Sequence, residues 1–245
     1  SFFCFYLVMN CTINLLLIYI VTLLYGCGVV RNSPKYQLAN GYYKSKTFSS
    51  KTEKVYVDNE IDTIYIHRYD KITRSVDTAL NKRIVFPKRL LNSIDNSRSF
   101  RQASFDVDFV TMPFKYRPTQ RGFPQQFNTN LNGALYLGFR NDVYQVKYKP
   151  TPLKKFDRQI THYGFSFGVF TGIGGSAINP WVTNNVVGYE YDGVVWAKGI
   201  GAFIGINNFN IGLALGFDDL LDENKDFWIY QQKPWLGLSF GLNLN

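Results

Sequence analysis

Phe209-Asn210-Ile211-Gly212-Leu213-Ala214-Leu215-Gly216-Phe217 alternates without a break between a large apolar residue and a small one. Leu236-Gly237-Leu238-Ser239-Phe240-Gly241-Leu242-Asn243-Leu244 repeats the pattern. Successive strand side chains point to opposite faces, so each stretch has an oily face and a nearly bare one. A sheet facing water sets charged or long polar residues opposite its oil. Gly, Ala, Ser and Asn in that place suit the narrow, packed interior of a closed sheet whose oily face is turned outward to lipid. The expected fold is all-β: an antiparallel up-and-down β-barrel of eight strands, with ten as the alternative.

Further segments follow the same rule. Strands are expected over 104–115, 133–140, 143–149, 160–174, 188–206, 209–217 and 235–245, with hairpin turns at Asn141-Asp142 and Asn207-Asn208. Residues 54–58 and 61–68 alternate around Asn59-Glu60 and read as another hairpin. An irregular insert is expected near 70–103, with a short helix over 77–91 broken at Pro87. Nine or ten alternating residues at a tilt of about 40° span roughly 25 Å of hydrocarbon. Tyr136, Tyr144, Tyr148, Trp196, Trp228, Tyr230 and Trp235 are expected at strand ends, as interfacial girdles. The competing reading is a soluble lipocalin-like barrel with its oil inside.

Composition permits a membrane barrel. Aromatic residues make up 17% of the 245 residues, and 18% are charged. A mean hydropathy of −0.14 excludes a helical membrane protein beyond the N-terminal segment. The net charge of +9 is uneven: residues 31–160 hold 24 Lys and Arg against 11 Asp and Glu, whereas residues 161–245 hold 3 against 7. The basic residues are dispersed among strands, so nucleic acid is not the expected partner. Phosphorylated lipid head groups account for the charge as well, and so does a solvated basic face.

The apolar run over 13–25 precedes Gly26-Cys27-Gly28 and reads as a secretory signal over 1–26, with translation expected from Met9. Leu24-Tyr25-Gly26-Cys27 resembles a bacterial lipobox that would acylate Cys27, although Tyr25 stands where a small residue is usual. An uncleaved helical anchor over 1–25 is the alternative. Residues 27–53 are expected to form a tether or loop and 54–245 the barrel domain. Cys4 and Cys11 fall within the signal, so no disulfide is expected in the mature chain.

The lipobox-like leader, segments such as Leu131-Asn132-Gly133-Ala134-Leu135-Tyr136-Leu137-Gly138 and the Gly-rich final strand together resemble small outer-membrane β-barrel proteins of Bacteroidetes-type bacteria. The resemblance covers about residues 104–245 and is one of style. It implies an outer-membrane location, lipid as the surrounding partner and membership of an envelope protein complex. One departure is the ending Leu244-Asn245 in place of a terminal aromatic residue. Either Phe240 substitutes or the recognition rule differs.

Candidate chemistry is sparse. Asp106 and Asp108 share a strand face and are expected to point into the barrel, pairing with lumen Arg140 or Lys147. His162 and Ser166 lie on one strand about 13 Å apart, too far for a base and nucleophile to meet. A lipid A-modifying enzyme using His162, a Ser from a neighbouring strand and Glu190 is the catalytic alternative. Gly172-Ile173-Gly174-Gly175-Ser176-Ala177 copies a dinucleotide-binding spacing without a following helix, so it implies no cofactor. Asp222-Glu223-Asn224-Lys225-Asp226 has alternate oxygen ligands but lacks the turn glycine of a calcium loop. The acidic run over 218–226 reads as a solvated loop, and neither metal nor cofactor is expected. The expected function is a non-catalytic, structural or accessory outer-membrane barrel. The alternatives are a lipid-binding or lipid A-modifying barrel and a tethered soluble barrel for a hydrophobic ligand.

Overall fold

The computed structural model describes residues 36–91, 97–120, 122–207 and 209–242; the signal segment, Cys27 and the last three residues lie outside them. The described chain is all-β and antiparallel. Its first strands are short: β1 (Gly41–Ser45), β2 (Glu53–Asn59), β3 (Thr63–Asp70), β4 (Ser75–Val76), β5 (Ile84–Pro87) and β6 (Arg89–Leu90). Then come β7 (Arg98–Arg117), the short β8 (Gln126–Asn128), β9 (Asn132–Pro150), β10 (Phe156–Ile178), β11 (Tyr191–Ile206), β12 (Phe209–Leu220) and β13 (Pro234–Leu242).

Pairing runs β7–β9–β10–β11–β12–β13 and returns from β13 to β7, closing a ring of six strands. Six, and not eight, has two causes: the strands before β7 stay outside the ring, and β9 is continuous. Asn141 and Asp142 do not turn; they pair with Phe165 and Gly164 in an unbroken 19-residue strand. The two segments expected as a hairpin are thus one strand. The Asn207 turn does form, with Asn207 at φ 53°, and joins β11 to β12.

A narrow ring demands a bare inner face. Gly168 lies opposite Gly138, and a Cβ on Gly168 would collide with the Leu137 carbonyl oxygen. Gly199 lies opposite Gly216, where a Cβ would meet the Leu215 carbonyl oxygen and the Phe170 ring. Between these glycines the interior is filled by Val110, Met112, Tyr136, Phe170, Phe203 and Trp235. Ile178, Val182, Leu220, Trp228, Ile229 and Tyr230 form a plug at the end that carries the long connections.

The strands before β7 are not ring members. β1 lies inside the stretch expected as tether and pairs with β2 and with Arg101 of β7. β2 pairs β3, β3 pairs β5, and β6 pairs the first residues of β10. Strands β5 and β6 follow a 3₁₀ turn at Leu80–Lys82, where a helix was expected. These strands and the outer ends of β7, β9 and β10 close a second circuit. Three long strands are therefore a shared spine, and different partners complete a lobe at each end.

The second lobe has the polarity of a soluble protein. Its core is Leu38, Tyr43, Val55, Val57, Ile64, Ile66, Phe86, Phe100, Tyr144 and Val146. The hydroxyl of Tyr148 donates to the Pro87 carbonyl at 2.6 Å, tying β9 to β5. Burial pushes this phenol above its ordinary pKa, which keeps the donor protonated.

Candidate functional site

The outward face of the ring inverts that polarity. Phe105 and Phe109 on β7, Leu137 and Phe139 on β9, and Phe165, Phe167, Val169 and Ile173 on β10 are all exposed. Ile200, Ile204 and Ile206 continue the surface on β11, Ile211, Leu213 and Leu215 on β12, and Leu236 and Phe240 on β13. The most exposed, Phe109, keeps 87% of its surface accessible. At the edge of this band, alternation places Asp219 and one cation, Lys198, on outward positions. It is neutralised by Asp219 at 2.6 Å and lies 4.4 Å over the Trp196 ring. From Tyr163 to Ile173 the oily face runs ten residue steps, roughly 25 Å along the ring axis at a tilt of about 40°.

The aromatic residues expected as girdles divide. Trp196 is outward and donates its ring N–H to Thr171 at 2.8 Å. Tyr136, Tyr144 and Trp235 point inward, while Trp228 and Tyr230 belong to the plug. Tyr148 is half-buried against the second lobe. Strand parity decides this: the even-numbered residues of β9 all face inside. Exposed Tyr116, Trp181 and Tyr189 stand instead near the long-connection end, with Tyr163 and Tyr42 toward the junction of the lobes.

Two charge clusters lie inside the ring. The first brings together three of the four expected lumen residues. Asp106 and Arg140 are buried, with Arg140 Nη1 3.8 Å from Asp106 Oδ2, and half-buried Asp108 lines the same small cavity. Lys147 is not among them. It is odd-numbered, so it sits on the opposite face of β9 from Arg140, exposed on the second lobe. Asp142, which sequence reading assigned to a turn, takes its place. Arg140 Nε donates to Asp142 Oδ1 at 2.8 Å, and His162 Nε2 lies 2.7 Å from the same oxygen. His162 is fully buried, its ring 4.9 Å from that of Tyr144. The cluster occupies the level where the strands cross from ring to second lobe.

The second cluster had no forecast. Asp218, expected in a solvated loop, is fully buried near the end of β12. Both its oxygens lie 3.0 Å from Lys115 Nζ, and Oδ2 also meets Arg117 Nη2. Lys115 Nζ is 4.4 Å from the Trp235 ring centre, and the Arg117 guanidinium faces Trp228 and Tyr230. A β-bulge brings both cations inside. Between Thr111 and Phe114 two residues, Met112 and Pro113, oppose the single Ser239. The inward positions of β7 therefore change from even to odd there.

Ser166 hydrogen-bonds Tyr136 at 2.7 Å, and Glu190 is exposed in the connection beyond the far end of β10 from His162. Asp222 accepts from the Asn224 N–H and the Tyr191 hydroxyl, both at 2.8 Å, capping a short 3₁₀ turn. No helix among the described residues is long and apolar enough to cross a membrane, which says nothing of strands. Compared with protein-family models, with curated proteins and with solved structures, the chain gives no match.

Proposed function

We propose that this chain is an integral outer-membrane β-barrel, non-catalytic, with a structural or accessory role in the bacterial envelope and a lipid anchor at Cys27. The observation that carries the reading is the outward band of the ring. A surface of this size, made of Phe, Ile, Leu and Val around all six strands, is an unmanageable aggregation hazard in water. In a bilayer it is the matching solvent, and a closed ring leaves no unpaired strand edge in the hydrocarbon. The ring interior supports a structural role over a conduit or a ligand chamber. The cavity beside Asp106, Tyr136, Arg140 and Phe203 is about 10 Å³, room for one water.

Fractionation tests the proposal. The native protein is expected in the outer membrane, resistant to alkaline carbonate extraction and heat-modifiable on gels. The Cys27→Ala protein is expected to stay there, held by its strands. Release of Cys27→Ala into the soluble fraction sinks the integral reading in favour of a tethered soluble barrel.

A further inference from the structure

Lys54, Lys44 and Arg101 stand side by side on three adjacent strands. Lys44 of β1 pairs in register with Lys54 of β2 on one side and with Arg101 of β7 on the other. Like charges directly opposite one another destabilise a sheet. Among the described residues, no carboxylate forms an ion pair with any of the three. Lys54 is held over the rings of Tyr42 and Tyr69, at 4.0 and 4.2 Å, so its ammonium has a fixed place. The three cations border a groove of about 670 Å³ whose lining also includes Phe139 and Phe165 of the oily band. A second hollow, of about 490 Å³, shares Lys44 and Arg101 and adds Lys46 and Arg98.

We infer that this groove binds the phosphate head group of an anionic glycerophospholipid from the bilayer around the ring, with the acyl chains lying on Phe139 and Phe165. The inference rests on the membrane reading above. Its particular support is adjacency: five cations gathered where the oily surface ends, at the depth where head groups begin. A free anion in water has no use for the two phenylalanines. A lipid uses both the cations and the rings. The groove lies toward the second lobe, away from the long connections; in outer-membrane barrels the short turns face the periplasm, which assigns the periplasmic leaflet.

The test compares wild type, Lys44→Thr/Arg101→Thr and, as control, Lys147→Thr/Lys149→Thr. All are inserted in phosphatidylcholine vesicles with or without phosphatidylglycerol at about 0.15 M salt, where long-range attraction is screened. Wild type is expected to gain thermal stability from phosphatidylglycerol and to retain it in native mass spectra. The groove variant should lose affinity roughly 30-fold, the effect of two cations near a charged surface. In pure phosphatidylcholine it should melt higher than wild type, because the repulsion is relieved. The control should follow wild type. Equal loss in the control overturns the proposal in favour of diffuse charge, and full competition by inorganic phosphate overturns it in favour of a free-anion site. Inserted, heat-modifiable wild type that ignores phosphatidylglycerol overturns the groove alone. Protein that does not insert overturns the membrane reading and the groove with it.

Discussion

Asp218 is one carboxylate facing two buried cations, Lys115 and Arg117, so its removal and theirs are not equivalent. Asp218→Asn leaves both cations without a counter-charge and is expected to cost about 3–5 kcal/mol in urea unfolding. Lys115→Met leaves the one-to-one Arg117–Asp218 pair beside Trp228 and Tyr230 and should cost clearly less. Equal costs would mean that solvent reaches the cluster. Gly168→Val probes sterics instead of charge. Its Cβ has no place beside the Leu137 carbonyl, and overpacking of this kind costs about 1–3 kcal/mol. An unchanged urea midpoint would show that the ring can widen. The inward position of Asp218 was legible, because Gly212, Ala214 and Gly216 precede it at the same parity. The cluster of acids after it obscured that, since acidic runs usually mark loops. Lys147 is the converse: parity alone separates it from Arg140, whatever the attraction of its charge.

At the scale of the element, β7 does two jobs through one irregularity. Before the bulge, even residues such as Asp106 face inside; after it, Lys115 and Arg117 do. Deletion of Pro113 should restore plain alternation with Met112, Lys115 and Arg117 inward and Phe114 and Tyr116 outward, so both cations keep their places inside. The expected outcome is insertion and heat-modifiable migration as in wild type. Pro113→Ala keeps the extra residue and should insert too, so loss of insertion in the deletion alone would mean that β7 needs the bulge itself and not only the inward placing of its cations. No sequence rule places a bulge, which is why the Lys115–Asp218 cluster escaped notice. The continuity of β9 escaped for another reason. Asn-Asp is good turn chemistry, but the Asp142 carboxylate is engaged by Arg140 and His162 inside the sheet. Nineteen residues of ladder outweigh a local turn preference that the sequence alone makes prominent.

For the whole molecule, the direction of the oil was readable from Gly and Ala opposite Phe and Leu, because only a face with no room would be so bare. The change of direction along the spine was not. Strands β9 and β10 carry oil outward to Phe139 and Phe165, then oil inward from Tyr144 and Ile160. Each half alternates correctly by itself, so period counting cannot tell which face of it is wet. A single substitution on each half separates the two environments. Leu213 lies on the outward face of β12, in the middle of the band, and is 57% exposed. On the proposed membrane reading, Leu213→Arg places a cation near the bilayer midplane and should cost about 2–4 kcal/mol, with loss of insertion. Lys147→Leu, on the second lobe, should insert as wild type does. Measured as the urea midpoint in phosphatidylcholine vesicles, the two must diverge. Were Leu213→Arg to fold equally well and become more soluble without lipid, the band would face water, and the ring would need a protein partner to cover it.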